Sequence, residues 1–186
     1  MPAVFIEGDL VQLTTLSVDD VDLSAYAGWA NDRETTRFMG IGPYPVTEHA
    51  VQDYVRSFDG RTDAMILAVR EKDSGRHIGN ITLQDIDWRD RRGEIGILLG
   101  EEDARGKGCG TEAIGLVVRH AFERLGLTKL TAGVISGNEA SKRAFEKNGF
   151  VVEGVLRQHH FTGGSYRDAL RLGLLASEAR PPHDDA

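Results

Sequence analysis

Apolar residues dominate from Val4 to Leu13, interrupted by the turn-forming pair Gly8-Asp9, which predicts a first strand with a turn there. Ser17-Val18-Asp19-Asp20 then places a hydroxyl ahead of two carboxylates, the signature of a helix start. Leu23, Tyr26 and Trp29 continue that helix to about Asn31. A second helix begins at Thr47-Glu48, carries Val51, Tyr54 and Val55, and ends near Asp59-Gly60. Between the two, Arg37 to Pro45 is punctuated by glycine and proline and reads as a loop. Three strand-like runs follow, Met65 to Arg70, His77 to Ile86 and Glu94 to Leu99. The turns Lys72-Asp73-Ser74-Gly75 and Arg89-Asp90-Arg91-Arg92 separate them, so an antiparallel meander is the natural arrangement. From Thr111 to Leu125, the residues Ile114, Val117, Val118, Ala121 and Leu125 recur on one helical face. Leu130 to Ile135 predicts a strand, and Ala140 to Asn148 a helix closed by Gly149. Phe150 to Thr162 and Arg167 to Leu175 are two last strands, joined at Gly163-Gly164 by a two-residue hairpin turn. Ser177 to Ala186, with Pro181-Pro182, reads as a frayed tail behind a single domain of residues 1–176.

Such an order suits neither a doubly wound parallel sheet nor a barrel. It predicts an α/β (α+β) fold, with a mixed, mostly antiparallel seven-stranded sheet flanked by about four helices. Composition narrows the class. With 186 residues, 40% hydrophobic and 27% charged, the chain can close a core of its own as a soluble domain. It has no apolar run long enough for a membrane helix and no signal-peptide pattern at its start, so a cytoplasmic location is expected. Cys109 is the one cysteine, which excludes an intramolecular disulfide. The net charge of −7 argues against a nonspecific nucleic-acid binder and leaves room for a cationic substrate.

The most informative stretch is Arg105-Gly106-Lys107-Gly108-Cys109-Gly110-Thr111, between a strand and an amphipathic helix. Consecutive backbone N–H groups and the positive end of a helix form an anion cradle there, and glycines keep side chains out of it. A Walker loop needs Ser or Thr after its lysine, where Gly108 stands. The dinucleotide fingerprint needs a third glycine where Thr111 stands, and a parallel βαβ unit after it. Neither fits.

Arg105-x-x-Gly108-x-Gly110 resembles the pyrophosphate-binding signature of the GNAT superfamily of N-acetyltransferases. The likeness extends to Asn138-Glu139-Ala140-Ser141 and to Phe145-Glu146-Lys147-Asn148-Gly149-Phe150. Trp29-Ala30-Asn31-Asp32 and Tyr166-Arg167-Asp168 are similar to the branch holding the ribosomal-protein N-terminal acetyltransferases. Arg91-Arg92-Gly93-Glu94 and Glu153-Gly154-Val155-Leu156 are similar to the spermidine acetyltransferases of that same branch.

What the resemblance implies is acetyl transfer from acetyl-CoA, the acyl donor, to a primary amine by direct attack in a ternary complex, with no metal. The acceptor would be a polyamine, a protein N-terminus or an amino sugar; neither nucleic acid nor membrane is a partner, and a homodimer stays open. The pantetheine arm would insert beside the backbone of Ile97, Leu98 and Leu99 as an added strand. The N–H groups from Gly106 to Thr111 would hold the pyrophosphate, with Lys107, Lys142, Arg143 or Lys147 near the 3′-phosphate. Asn138 would touch the pantetheine arm, or cap its helix, or both. Cys109 fits the loop as a small residue, not as a nucleophile.

Attack requires loss of the amine's proton, stabilisation of an oxyanion by a strand N–H near Leu98, and protonation of the thiolate. Glu94 and His160 are the candidate bases; their ordinary alternatives are a surface pair with Arg91 or Arg92 and a solvent-facing strand histidine. The family's proton-donating tyrosine falls at Phe145, which cannot donate, leaving Ser141 near the sulfur and Tyr166 as a remote alternative. The missing tyrosine also admits a second class of function, an acyl-CoA-binding regulator that has lost catalysis.

Overall fold

The computed structural model describes residues 2–41 and 43–179, so the predicted tail beyond residue 179 lies outside the described residues. The segment expected as one strand is two, β1 (Val4–Glu7) and β2 (Val11–Thr15), paired antiparallel through the turn at Gly8-Asp9. The sheet therefore has eight strands, not seven. Helix α1 (Leu23–Asn31) starts later than expected: Ser17 to Val21 closes a turn, and the Asp22 side chain caps the helix by accepting from the Ala25 N–H at 2.9 Å. A four-residue helix α2 (Arg33–Thr36) follows, capped by Asp32, and then α3 (Glu48–Arg56), capped by Thr47.

The meander is β3 (Met65–Glu71), β4 (His77–Asp87) and β5 (Arg92–Leu99). Helix α4 (Cys109–Arg119) continues into one π-helical turn, His120–Arg124. Strand β6 (Lys129–Ile135), helix α5 (Glu139–Lys147), and strands β7 (Val151–Thr162) and β8 (Ser165–Leu175) complete the chain. Gly163 and Gly164 both have positive φ, as a two-residue turn matched to strand twist requires.

The strand order is β1-β2-β3-β4-β5-β6-β8-β7, and only β5–β6 is parallel. One face of the sheet packs against α4 and α5, burying Leu83, Ile95, Ile114, Val117, Phe145, Leu172 and Leu174. The other face takes α1 and α3 over β2–β5, with Tyr26, Trp29, Val51, Val55, Ala68 and Leu98 in a second cluster. Leu98 and Ile95 thus point to opposite sides, as the period of two demands. No helix among the described residues is long and apolar enough to cross a membrane.

Glu112 in the first turn of α4 holds the β1–β2 hairpin. Its carboxylate accepts the backbone N–H groups of Asp9, Leu10 and Val11 at 2.9, 2.8 and 2.7 Å. Gly8 permits this approach, because a Cβ there would sit 2.7 Å from Glu112 Oε2. Replacing Glu112 by Ala is expected to cost about 1.5–3 kcal/mol, the range for hydrogen bonds to a charged group. A lowered urea midpoint would register it. A midpoint unchanged from wild type would refute this account of the hairpin.

Candidate functional site

Strands β5 and β6 pair for three residues only: Arg92 with Lys129, Gly93 with Leu130, Glu94 with Thr131. Beyond that they part. Ile95–Leu99 remains paired with β4 alone, and Ala132–Ile135 with β8 alone. Each of these segments faces the gap with peptide groups that no neighbouring strand satisfies.

Which groups face the gap follows from register. The Gly100 N–H donates to the Ile78 carbonyl, and in an antiparallel ladder such bonded pairs recur at every second residue. Asn80–Leu98 is therefore a bonded pair, and Leu98 spends its N–H and C=O on β4. Ile97 and Leu99 turn theirs into the wedge. The same reasoning on β6, from the Ser136 N–H bond to the Asp168 carbonyl, faces Gly133 and Ile135 inward. Of the three residues expected to line the pantetheine arm, Ile97 and Leu99 are placed to do so by their backbone; Leu98 points its side chain into the α1–α3 cluster.

The glycine-rich turn lies past the open end of β5. Gly106 and Gly108 have φ of 76° and 93°, the left-handed region, and Gly108 is the residue that starts α4. A Cβ at Gly106 would meet nothing within 4 Å, so this part of the cradle is open. Arg105 does not extend into it. Its guanidinium donates to the Leu99 carbonyl at 3.1 Å, the Gly100 carbonyl at 3.1 Å and the Thr35 hydroxyl at 2.8 Å, fastening the turn to β5 and α2. Burial, then the Glu71 carboxylate, push the Cys109 thiol up, so it is a packed thiol rather than a thiolate. Lys142 pairs loosely with Glu146 at 3.6 Å, while Lys107, Arg143 and Lys147 form no ion pair among the described residues.

Helix α5 begins on the β6 side of the wedge. The Asn138 side chain caps it, accepting the Ser141 N–H at 3.2 Å, which places Ser141 in the first turn. Phe145 is buried against Phe150, 5.1 Å between ring centres, and is a core residue with no polar atom to offer. Tyr166 is exposed at the hairpin tip beside Phe161.

Glu94 stands where the strands separate, on the α1–α3 face. Its partner is neither Arg91 nor Arg92. Arg171 on β8 reaches across β6 and grips it at 2.6 and 3.3 Å. Gly133 lies beneath the pair: a Cβ there would come within 3.3 Å of Arg171 Nη1. His160 shares this face but is far away. It pairs with Arg167, whereas Glu94 is level with Thr131 and Gly173. Six residues of β8 separate those levels, about 20 Å at roughly 3.3 Å per residue. One amine cannot touch both.

The roof over this face is tied down at two points. Trp29 on α1 donates to Glu101 at 2.8 Å and lies so close to Gly100 that no side chain fits there. The Thr162 hydroxyl donates to the Arg37 carbonyl at 2.8 Å, joining the loop after α2 to the β7–β8 hairpin. Beneath α1, His77 Nε2 lies 2.9 Å from Asn80 Oδ1 and edge-on to Trp29. Burial, then Tyr54, push the Tyr26 phenol well above its ordinary value, so it remains a donor. Burial, with Arg70 adding, lowers His77. The unfolded chain then takes up a proton near pH 6.5 that the folded chain refuses, and stability falls as pH drops through that region. His77→Gln is expected to flatten part of this loss between pH 7.5 and 5.5 in urea titrations; an unchanged slope would contradict it.

The sheet is thus split beside a glycine-rich helix start, and comparison with known proteins gives the family. The profile of the acetyltransferase (GNAT) domain matches residues 11–151. The chain belongs to the GNAT acetyltransferase family. It is 31% identical to an uncharacterized N-acetyltransferase, YoaA, of Bacillus subtilis (strain 168), over 88% of this chain and 92% of that one. It is 34% identical to the spermidine N(1)-acetyltransferase of Escherichia coli (strain K12), over 59% of this chain and 58% of that one. The fold superposes on the spermidine N-acetyltransferase of Vibrio cholerae, solved with CoA and spermine, with a TM-score of 0.82. That match spans 92% of this chain and 98% of the other at 23% identity. This GNAT chain is accordingly an acetyl-CoA-dependent N-acetyltransferase. Among the described residues, no group of three His, Cys, Asp or Glu side chains could hold a metal ion.

Sequence reasoning missed Arg171. In the chain it is one polar position in an alternating strand, and only the register sets it opposite Gly133, where the missing side chain clears its path across β6 to Glu94.

Proposed function

We propose that acetyl-CoA lies in the β5–β6 wedge with its pyrophosphate on the N–H groups from Gly106 to Thr111, and that a primary amine attacks from the α1–α3 face. The observation that carries this reading is the wedge itself: two strand edges with unpaired peptide groups, leading to a glycine turn at a helix start. The residues fit the donor. A pantetheine arm carries two amides and can meet the free peptide groups of Ile97 and Gly133 and the N–H groups of Leu99 and Ile135 as an inserted strand would, the Leu99 and Ile135 carbonyls being held by Arg105 and the Asn138 N–H.

Glu94 takes the amine's proton through water, and Arg171 holds the carboxylate in place. The Ile97 or Leu99 N–H receives the oxyanion. Ser141, in the first turn of α5, donates to the leaving thiolate in place of the tyrosine that Phe145 replaces. His160 is too far along the sheet to serve. Relatives named as spermidine acetyltransferases support a small-molecule amine as acceptor, and a cytoplasmic location suits the chain's one buried, unpaired thiol. The test is thiol release from acetyl-CoA in the presence of a panel of amines. Amine-dependent release is expected; release equal with and without every amine would leave only an acyl-CoA-binding protein.

A further inference from the structure

The acceptor side of the sheet carries a positive charge that the reaction just described does not use. On β8, Leu170, Leu172 and Leu174 pack toward α4, so Arg167, Ala169 and Arg171 project from the opposite face, the one Glu94 shares. Among the described residues of β6–β8, two cations on this face are paired: Arg171 with Glu94, and Lys129 with Glu153 at 2.7 Å. Arg167 has no carboxylate within 4 Å among the described residues. Its Nη1 lies 3.4 Å from where a Cβ of Gly137 would be, and the Phe38 ring edge lies 3.4 Å from the same point, under the loop that follows α2.

Carboxylates nearby are already engaged. Asp168 points to the other face and accepts the Gln158 N–H at 2.8 Å. Asp32 is held by the Thr35 N–H and hydroxyl at 2.7 and 2.6 Å, and Glu34 pairs with Arg37 at 3.0 Å. Continued from Glu94–Thr131, the strand levels bring Ile97 and Leu99, where the thioester lies, beside the stretch of β8 around Ala169. Arg167 is two residues further along β8, about 7 Å of strand rise at roughly 3.3 Å per residue, with β6 between it and Ile97.

A polyamine entering here brings further ammonium groups to strands β5–β8, whose described carboxylates on this face, Glu94 and Glu153, are both paired. An anion finds a free, planar guanidinium suited to two-pronged contact with carboxylate or phosphate oxygens. We propose that Arg167 determines specificity and that the acceptor is a primary amine carrying an anionic oxygen group, carboxylate or phosphate, at the end remote from the reacting nitrogen. The proposal rests on the acetyl-transfer reading above.

The test measures thiol release from acetyl-CoA with n-butylamine, spermidine, glycylglycine and glucosamine 6-phosphate, for wild type, Arg167→Gln and Arg167→Lys. For wild type, one or both anion-bearing amines should exceed n-butylamine and spermidine in kcat/KM by at least about tenfold, the scale of one charge-assisted bond. Which of the two leads separates carboxylate from phosphate. Arg167→Gln should raise KM for that acceptor by roughly ten- to a hundredfold while leaving n-butylamine within about twofold. Arg167→Lys should recover part of the loss. Spermidine equal to or better than both anionic acceptors overturns the proposal, and so does an Arg167→Gln variant that loses all acceptors alike, as a merely structural arginine would. If acetyl-CoA raises the melting temperature but no amine releases thiol, acetyl transfer falls and this proposal with it; if amines react without anion preference, this proposal alone falls.

Discussion

Glu94→Gln is expected to lower kcat by about a hundred- to ten-thousandfold, the usual contribution of a general base. An alkylammonium with a pKa near 10.4 must lose a proton before it can attack, which costs about 4–5 kcal/mol at neutrality. Glutamine keeps the shape of the side chain and an oxygen for Arg171 but cannot take that proton. The acetyl-CoA site is backbone from Ile97 onward, so the thermal shift produced by acetyl-CoA should stay close to that of wild type. The fold should also tolerate the change. Both partners of the Glu94–Arg171 pair are partly exposed, with side chains at 25% and 39%, and such pairs contribute no more than about 1 kcal/mol. His160→Ala should leave kcat within a few-fold, because its strand level is remote from Glu94. A Glu94→Gln enzyme within about fivefold of wild type would remove Glu94 from the mechanism, and a large loss in His160→Ala would move the base to the hairpin.

The order of strands and helices was legible because it depends on local periodicity and turn chemistry, which the chain carries residue by residue. The β1–β2 hairpin was not, since the carboxylate that pins its turn comes from Glu112, more than a hundred positions away. The start of α1 was misplaced for a related reason: Ser17 and Asp22 are both good caps, and the Ser17–Asp20 hydrogen bond makes the first of them a turn. At the site, the shape of the glycine turn could be read directly, because the glycines that set it are confined to seven residues before the helix start. Glu94 could be singled out but not its partner. An ion pair between β5 and β8 is a property of strand order, and β8 lies beside β6 only after the chain has made α5 and β7. The same holds for Leu98. Its membership in the wedge depends on the parity of the β4–β5 ladder, which no spacing along β5 reveals.

Gly108→Val is expected to abolish most of the stabilisation that acetyl-CoA confers. Only the native state binds the donor, so a concentration of a hundred times Kd stabilises by about 2.7 kcal/mol. For a domain of this length that raises Tm by roughly 5–10 °C. Valine at position 108 acts in two ways. It must hold a β-branched side chain at φ 93°, with its Cβ 3.2 Å from Leu10, and it places methyl groups where α4 begins and the phosphate oxygens approach. If Kd rises a hundredfold, the same donor concentration stabilises by only about 0.4 kcal/mol, a shift of about 1 °C. Strain alone would lower the starting Tm, so each variant is compared with its own unliganded form. Gly75→Val supplies the control, since it carries the same kind of penalty at φ 69° in the β3–β4 turn, with nothing within 4 Å. It should lose stability yet keep the full acetyl-CoA shift. A full shift in Gly108→Val as well would place the pyrophosphate somewhere other than on this turn.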